Sequence, residues 1–122
     1  MKVGASGQKA TTVINCLKES FGAVVNTCKS EVYTVFELPV NSSPSSTVYT
    51  LSVQNYADGT GKARANCVVW SFDGLGHGEA GTNATFNAIG AQTLEFTSVA
   101  FGNAISLHCY IPVNEGIASI TW

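Results

Sequence analysis

Two short runs constrain this chain more than anything else in it: Asn66-Cys-Val-Val-Trp-Ser-Phe72 and Ile105-Ser-Leu-His-Cys-Tyr-Ile111. Both are dense in β-branched and aromatic residues, and both carry a cysteine near the middle. Such side chains fit a pleated, packed surface better than a helix, so the runs read as two central strands of an all-β core. Two strands lying side by side bring Cα atoms to the roughly 5.5–6 Å that a disulfide prefers. A Cys67–Cys109 bond is therefore expected.

The other cysteines are Cys16 and Cys28. An even number, with no C-x-x-C pair and only two histidines, fits disulfides in an oxidising compartment better than a zinc site. Three pairings are possible. Cys16–Cys28 and Cys67–Cys109 are expected, because the first closes a short loop and the second joins two strands. Each would stabilise the fold by about 3 to 4 kcal/mol, the longer loop more. Buried free thiols in a cytosolic domain are the alternative.

The remaining pattern is strand-like throughout. Glu31 to Leu38 alternates, with Val32, Thr34, Phe36 and Leu38 on one face and Tyr33, Val35 and Glu37 on the other. Thr47 to Tyr56, 62–72, Gln92 to Val99, 104–112 and 117–122 continue the series, with a short run at Thr11–Leu17 and a short edge strand at Thr85–Ile89. One helical turn over 17–21 is allowed. Asn41–Ser46, Asp58–Gly61, Asp73–Gly78, Gly102-Asn103 and Asn114–Gly116 read as loops or turns, the second most simply as a hairpin connection. Residues 79–83 read as loop. Residues 1–10 read as a flexible terminus, leaving 11–122 as a single domain. These elements predict an antiparallel β-sandwich of seven to eight strands, immunoglobulin-like or jelly-roll-like; a partly open barrel is the alternative.

Charge narrows the function classes. Only 11% of residues are charged, the net charge is −2, and the six Lys and Arg are scattered. Nucleic acid needs a concentrated cationic face, so it is not expected as a partner. No apolar run is long enough for a membrane helix, and no signal peptide is recognisable at the start. Polarity is carried by 12 Ser, 12 Thr and 9 Asn, a balance common in extracellular β proteins. Secreted or periplasmic location is expected.

The chain resembles a loose group of uncharacterised bacterial secreted proteins. The resemblance rests on Gly22-Ala-Val-Val-Asn26 before a strand, on Cys67 with its alternating neighbours, and on Leu107-His-Cys-Tyr-Ile-Pro112 before a last Ile117-Ala-Ser-Ile-Thr strand. It departs at Leu38-Pro39, where that group often has a cysteine before the proline. The resemblance implies a secreted or periplasmic β-sandwich and no activity.

No catalytic constellation, phosphate loop or cofactor motif is present in the sequence. The two D-G-x-G segments at Asp58 and Asp73 supply one carboxylate each, and these are the chain's only aspartates, so turns explain them better than calcium. His77 lies among glycines beside Asp73 and Glu79, and a small secreted hydrolase using this loop is the weakest of the functional readings. The loop itself is expected to be mobile, with no metal bound. Asn41-Ser-Ser and Asn83-Ala-Thr fit the N-glycosylation pattern.

Strand 62–72 presents a conflict. Ala65, Cys67, Val69 and Ser71 form one face and Val68, Trp70 and Phe72 the other, and neither is an ordinary solvent face. The expectation is that Trp70 is a core anchor, with the Val68–Trp70–Phe72 face mainly buried. The rival is an exposed aromatic stripe, which would mark a glycan or protein site. His108 alternates with Ser106 and Tyr110 and is expected at a solvent face or rim. Candidate ligand-contacting residues are then Trp70, Phe72, Asp73, His77, His108 and Tyr110. A non-catalytic module binding a protein or glycan, monomeric or weakly self-associating and needing no cofactor or metal, is the leading reading. A structural subunit of an envelope or extracellular assembly is the second.

Overall fold

The structure is a computed structural model that describes residues 2–4, 16–20, 22–40, 47–57, 59, 61–73, 75–100 and 104–122. The expected run at Thr11–Asn15, the Asn41–Ser46 loop with its glycosylation pattern, and the Gly102-Asn103 turn lie outside the described residues.

Among the described residues ten strands make two antiparallel sheets: β1 (Lys2–Gly4), β2 (Leu17–Ser20), β3 (Ala23–Asn26), β4 (Val32–Leu38), β5 (Thr50–Tyr56), β6 (Asn66–Phe72), β7 (Gly78–Thr85), β8 (Thr93–Thr97), β9 (Ala104–Ile111) and β10 (Gly116–Thr121). The first sheet runs β2-β3-β10-β5-β8, with β1 also on β10; the second runs β4-β9-β6-β7. Among the described residues there is no helix, so no helix crosses a membrane. The all-β antiparallel sandwich is the architecture that the alternation implies. The helical turn allowed over 17–21 is instead strand β2, drawn into the sheet by its hairpin partner β3.

Alternation places the core. Phe36 and Leu38 of β4, Val69 of β6, and Leu107 and Ile111 of β9 face Leu51, Val53, Phe96, Ile117 and Ile120 of the other sheet, all buried. Ile117 and Ile120 both point inward although three positions apart. A bulge between Ile117 and Ser119 in the pairing with β5 resets the phase.

Both expected disulfides are present, Cys16–Cys28 and Cys67–Cys109. Cys67 and Cys109 are direct register partners on β6 and β9, both fully buried, with Cα atoms 4.1 Å apart. Directly opposed residues at the narrow points of an antiparallel pair come this close.

Three expectations change. Asp58–Gly61 is not a hairpin connection, because β5 and β6 belong to different sheets. The edge strand is Gly78–Thr85 rather than Thr85–Ile89. Its glycines made it read as loop, but they answer to close approach. A Cβ on Gly81 would lie 2.2 Å from the Thr97 carbonyl oxygen and 2.9 Å from a Val69 methyl. Residues 2–4 carry no strand pattern of their own, yet they pair with Thr121, Ile120 and Ser119 along the half of β10 that β3 leaves open.

Candidate functional site

The conflict in β6 resolves against a buried aromatic stripe. Cys67, Val69 and Ser71 are fully buried and form the core face, whereas Val68, Trp70 and Phe72 are half-buried on the outer face. Trp70 is therefore not a core anchor. The disulfide takes the inner face, and the aromatic residues are left on the outside of the second sheet.

Register assembles that outer face in rows. Tyr33 of β4 lies beside Tyr110 of β9, which lies beside Asn66 of β6 and then Thr85 of β7. The next row is Val35, His108, Val68 and Asn83, and the one after it is Glu37, Ser106, Trp70 and Ala80. Ala104, Phe72 and Gly78 complete the face. The outer face of the first sheet differs: it presents Thr50, Ser52, Gln54, Glu95, Thr97 and Ser119, with Ser52 donating to Glu95 (2.6 Å). One side of the sandwich is thus a lawn of small polar groups and the other is aromatic.

The rings form one connected cluster. Tyr33 and Tyr110 have centroids 4.9 Å apart at 51°, and Tyr33 and His108 are 5.7 Å apart. His108 is 6.1 Å from Trp70 and 6.3 Å from Phe72. Trp70 and Phe72 are 6.1 Å apart with planes only 19° from parallel. Phe72 leans over the edge strand: a Cβ on Gly78 would meet its ring at 2.5 Å. Tyr33 and Tyr110 are 40% and 49% exposed, well above what a core tyrosine shows.

Hydrogen bonds fix the cluster. His108 Nδ1 pairs with the Tyr33 hydroxyl, and Nε2 with the buried Ser106 hydroxyl at 2.8 Å. Burial lowers the pKa of His108 below the ordinary histidine value. It raises that of Tyr33, with Tyr110 adding to the effect. At the far end the Asn66 amide donates to Asn83 Oδ1 (2.9 Å), Thr85 Oγ1 (2.9 Å) and the Ala84 carbonyl (3.2 Å). Glu37 is exposed beside a hollow of about 270 Å³ that Phe72, Ala104 and Ser106 also line.

Of the expected candidates, Trp70, Phe72, His108 and Tyr110 come together. Asp73 and His77 do not join them. They close the β6–β7 turn, where Asp73 Oδ1 accepts from the backbone N–H of Leu75 (2.8 Å) and His77 (3.0 Å), and Oδ2 meets His77 Nδ1 at 2.9 Å. The segment expected to be mobile carries these hydrogen bonds of Asp73. Slight burial pushes the Asp73 pKa up, but the two backbone N–H groups and the His77 ring bring it net below the usual carboxylate value. Among the described residues no three His, Cys, Asp or Glu side chains gather as a metal site.

Tyr33, Asn66, Glu37 and Ser106 belong to the face and were not among the candidates; Asn83, read from the sequence only as a glycosylation pattern in a loop, lies on the face in β7. The outward phase of Tyr33 and Glu37 was readable; their cross-strand neighbours were not. A second hollow, of about 230 Å³, is structural. There the buried Glu115 carboxylate accepts from the backbone N–H of Arg64 and of Ala65 (3.0 Å), tying the β9–β10 turn to the crossover before β6.

The sequence matches no protein-family model and no curated protein. Among solved structures, the chain is similar to one described as "CBM4 structure and function", at 13% identity and a TM-score of 0.41, over 93% of this chain and 72% of that one. A likeness that distant carries nothing over to this chain, and the fold stands on its own two sheets.

Proposed function

We propose that this protein is a non-catalytic glycan-binding module that uses the aromatic outer face of the β4-β9-β6-β7 sheet. The observation that carries the reading is the connected cluster of Tyr33, Tyr110, His108, Trp70 and Phe72, half open to solvent on one face of the sandwich. An aromatic ring presents negative charge density on its face. The C–H groups on the flat side of a sugar carry the complementary partial charge, so the two stack. The groups around the rings are short amides, hydroxyls and a carboxylate, which pair with sugar hydroxyls. Several of them are already held by their neighbours, so little freedom is lost when ligand arrives.

The two disulfides suit an oxidising compartment, and a secreted or periplasmic site of action goes with this reading. The test is a glycan array backed by affinity electrophoresis, run on the native protein and on Trp70→Ala and Trp70→Phe. Binding that is lost in the first variant and kept in part by the second is expected. A protein that retains no glycan from a broad array, or binds equally well without the Trp70 ring, would sink the proposal. Capture of a defined protein partner through the same face would then take its place.

A further inference from the structure

We propose that Tyr33 and Tyr110 form an oxidative coupling site, at which a one-electron oxidant, such as a haem peroxidase working with hydrogen peroxide, joins the two rings carbon to carbon. The bond ties edge strand β4 to β9. Three observations lead there. The first is placement. The two tyrosines are direct register partners on neighbouring antiparallel strands, their ring centroids lie 4.9 Å apart, and both are exposed. Rings at that separation are in contact. Two phenoxyl radicals formed there meet without diffusion and without a change of fold, and an oxidant arriving from solvent reaches both.

The second is a proton acceptor in place. A phenol gives up an electron more readily when a base takes its proton in the same step. His108 Nδ1 is hydrogen-bonded to the Tyr33 hydroxyl, and Nε2 to Ser106 Oγ at 2.8 Å. With the ring proton on Nε2 and donated to Ser106, Nδ1 is left to accept from Tyr33. Burial holds His108 neutral near pH 7 and keeps Tyr33 a phenol, so the two stand as acid and free base. Each tyrosine loses one electron and one proton, the Tyr33 proton passing to His108 and the Tyr110 proton to water. The radicals join at carbons ortho to their oxygens. The hydrogens on those carbons then move to the oxygens and restore both hydroxyls, and His108 releases its proton to water. One hydrogen peroxide is reduced to two waters for each bond formed.

The third is what such a bond adds. The Cys67–Cys109 disulfide, one residue from Tyr110, already ties β9 to β6. β4 ends its sheet and holds no cysteine, and among the described residues it pairs with β9 alone. A Tyr33–Tyr110 bond carries the covalent tie across three neighbouring strands, in the oxidising compartment that the disulfides suit.

The experiment treats the intact, disulfide-bonded protein with a haem peroxidase and limiting hydrogen peroxide. Dityrosine fluorescence should appear while the size of the protein in solution stays unchanged. Peptide mapping should find the Tyr33 and Tyr110 peptides joined, with the loss of two hydrogens. Tyr33→Phe and Tyr110→Phe keep both rings, and each should abolish the link. His108→Phe keeps a ring in the cluster but removes the acceptor. Coupling should slow several-fold in it, and the solvent deuterium isotope effect on the native rate should change, with far-ultraviolet circular dichroism verifying the fold. Links between molecules, a main product at Trp70, Tyr49 or Tyr56, or dityrosine undiminished in Tyr33→Phe would overturn the proposal. Coupling as fast in His108→Phe as in the native protein would overturn the part assigned to His108.

Discussion

His108 stands where the aromatic face is most crowded, with Tyr33, Trp70 and Phe72 around its ring and a hydroxyl at each nitrogen. Its folded-state pKa is lowered by burial from the ordinary value of 6.5. Between the folded and unfolded values the unfolded chain binds more protons, so stability rises with pH through that window. Acidification below about 6.5 therefore destabilises the protein, fully so once the pH passes the folded pKa. Melting temperature measured from pH 7.5 to 5 should fall more steeply in the native protein than in His108→Asn, which does not titrate; parallel curves would refute this. Trp70 allows a second test at this scale. Its ring is half-buried on an outer face, so Trp70→Ala should cost roughly half of the 3–5 kcal/mol that a buried aromatic costs. Phe36→Ala, at a fully buried position, should cost the full amount by denaturant titration. Equal losses would return Trp70 to the core.

Strands differ in how plainly they announce themselves. β4, β5 and β8 alternate inward and outward as the sequence implies, with Thr34 and Asn55 the polar residues that face in. β6 was legible as a strand but not as an orientation. With Cys67 and Val69 on one side and Trp70 and Phe72 on the other, apolar character cannot choose, and size favours the wrong face. The choice follows from Cys109, since the disulfide and the inward phase of β9 must agree. β7 was illegible because Gly78, Ala80 and Gly81 have poor strand propensity. Their smallness is required by what lies over them, and that is a tertiary fact. Gly81→Ala should therefore destabilise by about 1–3 kcal/mol, as overpacking does, since its Cβ would collide with backbone of the neighbouring sheet. Gly61→Ala, where a Cβ meets nothing within 4 Å, should be neutral or slightly stabilising. Similar chemical-denaturation midpoints for the two would contradict this account of β7.

Across the described residues most connections pass from one sheet to the other: β3 to β4, β4 to β5, β5 to β6, β7 to β8, β8 to β9 and β9 to β10. Only the β2–β3 and β6–β7 links are hairpins. Such a topology has few local contacts, so its loops must close before the core rewards them. The two disulfides act on this problem unequally. Cys16–Cys28 spans 12 residues and ties a hairpin at the sheet edge that is local already. Cys67–Cys109 spans 42 residues, enclosing β7 and β8 and so both crossovers that link β8 to the second sheet. Chain entropy assigns about 3 kcal/mol to the first and about 4 kcal/mol to the second. They also differ in access, because both Cys67 and Cys109 are fully buried while Cys16 and Cys28 are partly exposed. Under native conditions a mild reductant should therefore open Cys16–Cys28 directly and leave the fold and the aromatic face intact. Cys67–Cys109 should open only as fast as the protein unfolds, since attack needs the sulfur to be reached. Timed alkylation with peptide mapping should show two labels long before four. A Cys67→Ala/Cys109→Ala variant should lose on the order of 15 °C in melting temperature, and the doubly reduced protein should lose more. Simultaneous labelling of all four cysteines, or first labelling at Cys109, would mean that the β6–β9 staple under the aromatic face is not the buried centre of the fold.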